Sequence, residues 1–150
     1  MVVSNLGMVC LKPLDLIQPH RLEMGTKLKT EKGNSLYDFW GNKIPDSILR
    51  ELSTHKNQTI VNLASLEYFK AVGQILSKAT VITPVFKDYS KGTYRIISFF
   101  AKKARGTMAS FIVQNRITSP NGIKSFTEDG YVFNESLSSE REWIFTRKAS

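Results

Sequence analysis

The spacing of apolar residues predicts a mixed succession of short helices and short strands. Between residues 36 and 52 the apolar positions recur at helical spacing, which predicts helical structure. Gly41 and Pro45 interrupt that run, so we expect two short helices or one kinked helix. Because helices and strands do not alternate regularly along the chain, the pattern indicates an irregular α+β fold and not a doubly wound sheet.

Two runs rich in β-branched and aromatic residues predict a β-hairpin. They occupy residues 80–89 and 93–100, and the residues between them, Ser90, Lys91 and Gly92, can turn the chain. Pro84 has no amide proton, which predicts that the first of these strands lies at a sheet edge or carries a bulge.

Shorter segments predict the remaining elements. Residues 59–63 have the composition of a buried strand, and Ser65 can cap a helix over residues 66–72. Ser119 and Pro120 can begin a last short helix. Residues 131–133 and 143–146 have the composition of a terminal strand pair.

The clearest helical pattern covers residues 101–117. One face of this helix carries the residues Ala104, Met108, Phe111, Ile112 and Asn115. At about 100° per residue, Lys102, Arg105 and Arg116 fall within roughly 60° of one another beside that face, and Lys103 lies about a quarter-turn away. If the apolar face packs on the sheet, a row of cations is left on the side of the helix.

Most of the positive charge of the chain lies in this region. The chain has 150 residues, 41% of them hydrophobic, and a formal net charge of +8. Residues 87–117 carry seven basic side chains and one acidic side chain, a net charge of +6. This excess favours a polyanionic partner such as a nucleic acid, and an ordinary solvated basic surface is the alternative.

These cations have the chemistry that phosphate binding needs. Lysine supplies a point charge and arginine supplies a bidentate hydrogen-bond donor. Each neutralised phosphate also releases counterions. The residues expected to contact DNA are Lys102, Lys103, Arg105, Arg116 and Arg95.

A second set of polar residues predicts a cleft. Asn62 and Ser65 follow the expected buried strand, where α/β proteins often bind ligands, and capping of the strand end is the alternative. With Arg21 and Glu23 they would line the pocket of an enzyme acting on a nucleic acid or a phosphorylated substrate, which is the alternative function. Gly106 lowers the stability of a helix by about 1 kcal/mol relative to alanine. It either allows close approach of a phosphate or of another backbone, or it has no function and is an accident of packing.

The sequence lacks the signatures of several other functional classes. It contains no P-loop, G-x-S-x-G, H-E-x-x-H or G-x-G-x-x-G motif, so we assign no catalytic residue. Cys10 is the only cysteine, and His20 and His55 are far apart, so we expect no disulfide, metal site or cofactor. No window approaches the ~20 apolar residues of a membrane span, and the N-terminus does not have the pattern of a signal peptide. We therefore expect a cytoplasmic protein with no membrane partner.

Five motifs resemble those of the YaaA-like peroxide stress protein family. They are LKPLDLIQPHRLEMG at residues 11–25, LYDFWG at 36–41, NLASLEYF at 62–69, ISFFAKKARG at 97–106, and a C-terminal set with GY at 130–131, SS at 138–139 and FTR at 145–147. All of them occur in one register.

The resemblance implies a protein of the hydrogen-peroxide response that protects DNA and limits unincorporated iron. It implies binding of duplex or branched DNA in a positively charged cleft, a helix-hairpin-helix element on a mixed α/β fold, and no securely assigned enzymatic activity. Carried over motif by motif, it supports Lys102, Lys103 and Arg105 as DNA contacts and adds Arg21. A direct role in iron binding is a third reading, for which two scattered histidines and carboxylates are a poor ligand set.

The chain departs from the family pattern at its N-terminus. Members of the family are longer and begin with a strand bearing SPAKTL, which does not occur here. We therefore expect a single domain over residues 1–150 that lacks the N-terminal portion of the family. Such a loss would remove one wall of the cleft and part of the core.

Overall fold

The computed structural model describes residues 2–3, 16, 23–73 and 79–148, and its helices and strands follow one another in irregular order. The α-helices are α1, Leu36–Trp40; α2, Lys43–Leu52; α3, Leu66–Lys70; and α4, Ser98–Gln114. The strands are β1, Val2–Val3; β2, Lys27–Thr30; β3, Gly33–Ser35; β4, Thr59–Asn62; β5, Thr80–Ser90; β6, Thr93–Arg95; β7, Val132–Phe133; and β8, Glu142–Lys148. Short 3₁₀ segments cover Pro120–Ser125, Glu128–Gly130 and Glu135–Leu137. The expected α+β class is confirmed.

One mixed sheet organises the described part of the chain. Its order is β1-β4-β5-β8-β7, with β6 paired to β5. The contacts of β1 with β4, β4 with β5 and β5 with β8 are parallel, whereas β7 and β6 are antiparallel to their neighbours. The predicted terminal strand pair is therefore β7 and β8, and β8 also lies beside the hairpin strand β5. β2 and β3 form a separate antiparallel pair.

Pro84 does not mark a sheet edge, and that prediction was wrong. β5 pairs with β4 through residues 80–82 and with β8 through residues 83–89. The amide of Thr83 donates to the carbonyl of Arg141 on the β8 side at 2.7 Å. Because successive amides of a strand point to opposite edges, the nitrogen of Pro84 faces the other edge, where the pairing with β4 has ended. A central strand tolerates proline at this position because no ladder hydrogen bond is lost.

The predicted hairpin is present, but its second strand is shorter than expected. Lys91 has φ 53° and Gly92 has φ 82°, the pair of positive φ angles that a type I′ turn requires. β6 ends at Arg95, and Ser98 already begins α4. Residues 98–100, expected in a strand, are therefore the first turn of the helix. The helix also ends at Gln114 and not at residue 117.

Two apolar clusters cover opposite faces of the sheet. Strand residues alternate between the two faces, and Val61 and Ile82 belong to one cluster while their neighbours Ile60 and Val81 belong to the other. The first cluster is covered by α4 through Ala104, Met108 and Ile112, and the second is covered by α2 through Ile44, Ile48 and Leu52. This packing fixes α4 on one face, with its other side open to solvent.

Candidate nucleic-acid interface

The N-terminus of α4 lacks a side-chain cap in the part of the chain that the structure describes. Ile97 occupies the N-cap position and makes no side-chain hydrogen bond, and the first turn has no acidic residue. Apolar residues are poor N-caps because the first amides of a helix need an acceptor. The amides of this first turn and the positive end of the helix dipole are therefore available to an anion.

Lys102 and Lys103 follow this turn and are exposed. Both lie within the first two turns of α4, close in sequence to the uncapped amides. Phe99, one turn earlier, is 74% exposed. The site thus combines two cations, free backbone donors and an exposed aromatic ring.

Lys103 forms an ion pair that the sequence analysis did not anticipate. Its Nζ lies 2.9 Å from Oδ1 of Asp129, and the hydroxyl of Thr107 donates to Oδ2 of the same carboxylate at 3.3 Å. These hydrogen bonds, with that from Lys103 the larger contribution, lower the pKa of Asp129 below its usual range. Asp129 adopts φ 55°, a left-handed conformation that places it over α4. One of the two adjacent lysines is therefore held by an internal carboxylate.

A largely buried cluster of charged residues lies beneath the first turn of α4. Arg147 donates to Oδ1 of Asp88 through Nε at 2.7 Å, and its Nη2 forms an ion pair with the same oxygen at 2.6 Å. Its Nη1 donates to the carbonyl of Asp129 at 3.2 Å. Its guanidinium lies 4.8 Å from the ring centre of Phe100 and 4.5 Å from that of Tyr131. Arg147 therefore ties β8 both to the first turn of α4 and to Asp129.

Tyr131 completes this cluster. Its hydroxyl donates to Oδ2 of Asp88 at 2.9 Å, and Asp88 is 2% exposed. Burial and the hydrogen bond to the carboxylate raise the pKa of Tyr131 well above its ordinary value of 10.0. Helical spacing gives no indication of the roles of Asp88, Asp129 and Arg147. Of the cluster, Tyr131 lies in the GY motif and Arg147 in the FTR motif, which is the signal that the sequence offers.

Arg105 is directed away from the two lysines. Its Nη1 donates to the carbonyl of Leu63, and its Nε donates to the carbonyl of Ala101, both at 3.4 Å. The side chain is partly buried, and desolvation lowers the pKa of its guanidinium. Arg105 thus links α4 to the end of β4, and it does not extend the row of exposed cations as the helical spacing suggested.

The cleft residues Asn62 and Ser65 are used by the chain itself. Oδ1 of Asn62 accepts from the amide of Ala64 at 3.1 Å, and its Nδ2 donates to Oγ1 of Thr83 at 3.3 Å. The hydroxyl of Ser65 accepts from the amide of Tyr68 at 3.5 Å, as the predicted N-cap of α3. Both side chains therefore shape the end of β4.

Two family motifs meet beside this strand end. The amide of Gly25 donates to Oε1 of Glu67 at 2.8 Å, which joins the RLEMG segment to α3. Glu23 is exposed two residues earlier, and Arg21 lies outside the described residues. The described contact between the two motifs is therefore the one from Gly25 to Glu67, whereas the hydrogen-bond partners of Asn62 and Ser65 are Ala64, Thr83 and Tyr68.

Of the remaining predicted residues, Arg95 and Arg116 lie outside α4, and Gly106 lies on it one turn after Lys102. Nη2 of Arg95 donates to Oγ of Ser90 across the hairpin at 2.7 Å. Arg116 follows α4 with φ 48°, so it is not on the helix. Gly106 is exposed on α4, and a Cβ added there would meet nothing within 4 Å. The packing of the described residues therefore does not explain this glycine.

Residues 2–3, 16, 23–73 and 79–148 contain no group of three or more His, Cys, Asp or Glu side chains placed to hold a metal ion. Within the same ranges, no helix has the length and apolar character needed to span a bilayer.

Comparison with known proteins gives the family. The family model described as "Peroxide stress protein YaaA" matches residues 3–137. A UPF0246 protein of Colwellia psychrerythraea is 54% identical over 140 residues, which cover 93% of this chain and 54% of that protein. UPF0246 proteins of Teredinibacter turnerae and Clostridium perfringens are both 51% identical, over 92% and 91% of this chain and 54% of each relative. The chain thus spans about half the length of these relatives, and it belongs to the YaaA peroxide stress protein family.

Proposed function

We propose that this chain supplies a non-specific DNA-binding surface of a peroxide stress protein, centred on the N-terminal half of α4. The observation that carries the proposal is the exposure of Lys102 and Lys103 beside a helix N-terminus with no side-chain cap. The two ammonium groups and the free end of the helix attract the same anion. A DNA phosphate has the charge and the acceptor oxygens to engage both.

The distribution of charge favours a polyanion over a small anion. The net charge of +6 over residues 87–117 extends the attraction beyond the two lysines, because fields of neighbouring cations add over a Debye length of about 10 Å. Contacts to phosphate carry no sequence information. DNA binding at this surface is therefore expected to be similar for all sequences, as protection of DNA during peroxide stress would require.

Arg105 has a positioning role in this proposal. Its hydrogen bond to the carbonyl of Leu63 holds α4 against the residue that follows β4, and the bond to the carbonyl of Ala101, one turn earlier in the same helix, orients the guanidinium. The alternative of an enzyme cleft gains no support from the geometry, because the side chains of Asn62 and Ser65 are engaged with neighbouring groups of the chain.

Fluorescence anisotropy with two labelled duplexes of unrelated sequence tests the proposal. We expect equal affinities for the two duplexes, with log K falling linearly with log salt between about 50 and 200 mM and a slope of about −2 to −3, as for two or three phosphate contacts. A branched duplex in parallel measures any preference for DNA structure. Failure to bind at low salt, or an affinity that does not change with salt, would overturn the proposal.

A further inference from the structure

A groove lies at the opposite end of α4 from the two lysines. It has a volume of about 530 Å³ and is formed by the loop before β4, the last turns of α4 and the segment that follows them. At 1.5 Å per residue, residue 114 is roughly 18 Å along the helix axis from Lys102. The groove is therefore separate from the proposed DNA-binding surface.

The groove has an aliphatic floor. Val61, Ile112 and Ile123 line it and are 7%, 8% and 1% exposed, so they form its base. Its volume is in the range of small-molecule sites, which are mostly apolar with a few placed polar groups. The lining residues include no Phe, Tyr or Trp, and the floor itself is aliphatic, so it suits an aliphatic body better than a stacked ring.

The rim of the groove is cationic. Arg116 and Lys56 line it and are exposed, with the hydroxyls of Thr118 and Ser119 beside them, and no acidic side chain contributes to the lining. His55 also lines the groove, but Oε1 of Glu51 lies 4.0 Å from its Nε2. The C-terminal end of α4 carries partial negative charge that disfavours an anion, so an anionic group in the groove depends on the two cations, Arg116 and Lys56.

The backbone of Arg116 is in an unfavourable conformation for an arginine. Its φ of 48° is in the left-handed region, where glycine or asparagine is the usual residue after a helix. The chain reverses here through a hydrogen bond from the amide of Ile117 to the carbonyl of Ile112 at 3.0 Å. A strained residue maintained at a cavity wall points to a role for its side chain.

We propose that this groove binds an amphipathic anion, with an aliphatic body on the Val61–Ile112–Ile123 floor and a phosphate or carboxylate group held by Arg116 and Lys56. The guanidinium supplies paired donors for either headgroup, and the lysine adds a point charge. The proposal does not depend on DNA binding, because it uses different residues at the other end of α4.

Titration with octyl phosphate, followed by two-dimensional amide NMR of the whole chain, tests this site. We expect saturable shifts at Val61, Ile112 and Ser119. Octanoate distinguishes a carboxylate from a phosphate headgroup, octyl glucoside supplies the same alkyl chain without charge, and inorganic phosphate supplies the charge without the chain. Octyl glucoside and inorganic phosphate should each bind at least about tenfold more weakly than octyl phosphate. The first lacks the charge-assisted hydrogen bond and the second lacks the apolar contact.

Arg116→Gly is the decisive variant because glycine accepts the left-handed backbone at this position. It should fold as well as the parent in a thermal melt and bind octyl phosphate about five- to tenfold more weakly. Lys91→Gly is the matched control, since Lys91 also has a positive φ, 53°, and an exposed cation, but lies in the β5–β6 turn. Equal binding by Arg116→Gly and the parent, equal binding of octyl glucoside, or shifts elsewhere than at the groove would overturn the proposal.

Discussion

At the scale of single residues, Asp129 is the residue that opposes the cationic surface of α4. Its carboxylate holds Lys103 at 2.9 Å and also accepts from Thr107. A DNA phosphate that binds Lys103 has to compete with this carboxylate. The pair is partly exposed, with 61% of the Lys103 side chain accessible, so the competition is weak in energy.

Replacing Asp129 by asparagine should therefore strengthen DNA binding. Asp129→Asn removes the competing charge and nearly preserves the side-chain shape, and we expect the affinity for duplex DNA to rise by up to about fivefold, the range set by exposed ion pairs. Glu128→Gln removes the same charge one residue away. An equal rise in both variants, measured by anisotropy, would show that the change in net charge and not the freed lysine is responsible.

Arg147 forms an ion pair with the buried carboxylate of Asp88. Its removal leaves the carboxylate of Asp88, which is 2% exposed, without its charge partner. Arg147→Met should lower the free energy of unfolding by about 3–5 kcal/mol, as for other broken buried pairs. Urea denaturation measures this loss, and adding Asp88→Asn should recover part of it. A cost below about 1 kcal/mol would mean that the cluster is solvated and does not anchor α4.

The hydroxyl of Tyr131 makes the free energy of unfolding depend on pH in the alkaline range. Its folded-state pKa is raised above the ordinary 10.0 by burial and by the hydrogen bond to Asp88, so above pH 10 the unfolded chain loses this proton before the folded chain does. Stability should therefore fall as the pH rises above about 10. Tyr131→Phe lacks this proton, and its stability should decline less steeply over the same range in a pH series of urea melts. Parallel declines would assign the pH effect to other groups.

At the scale of helices and strands, the local sequence pattern predicts most of the elements. The wrong predictions concern contacts with residues that are distant in the sequence. The β5–β6 hairpin, the cap at Ser65 and the apolar face of α4 are local properties that the sequence specifies. Pro84 was assigned to an edge because the sequence does not show that β5 changes partners from β4 to β8 at that residue.

Arg116 lies beyond the end of α4, so the row of cations expected from helical spacing lacks this member, and the spacing gives no information on what surrounds the others. Arg105 lies close enough to the apolar face that packing buries it partly and turns it toward Leu63. The spacing of residues could not show that β4 ends there, nor that a 3₁₀ segment brings Asp129 over Lys103. These contacts depend on residues more than twenty positions away in the chain, which a local pattern cannot include.

Gly106 offers a test of how α4 approaches its partner. A Cβ at this position meets no other atom within 4 Å, so Gly106→Ala should stabilise the helix by about 0.5–1 kcal/mol in thermal or urea denaturation. If the DNA backbone approaches α4 at this point, the same methyl group should weaken DNA binding. A variant that gains stability and keeps full affinity would exclude close approach at Gly106.

At the scale of the whole molecule, the sheet sets the separation of two surfaces on one helix. α4 packs on one face through Ala104, Met108 and Ile112, with its uncapped first turn beside Arg147 of β8 and its last turn beside the groove. The cluster of Asp88, Arg147 and Tyr131 fixes the first end. The two proposed binding sites are therefore independent in chemistry although they share one helix.

The most direct test of the account is charge reversal at the two lysines with a matched control elsewhere. Lys102→Glu/Lys103→Glu changes the net charge as much as Lys27→Glu/Lys29→Glu, whose exposed positions lie on β2. At low salt the first variant should bind duplex DNA at least about tenfold more weakly than the parent, with a smaller salt slope, while the second should lose less than about threefold. Equal losses in the two variants would contradict the account, because binding would then follow net charge and not the surface of α4.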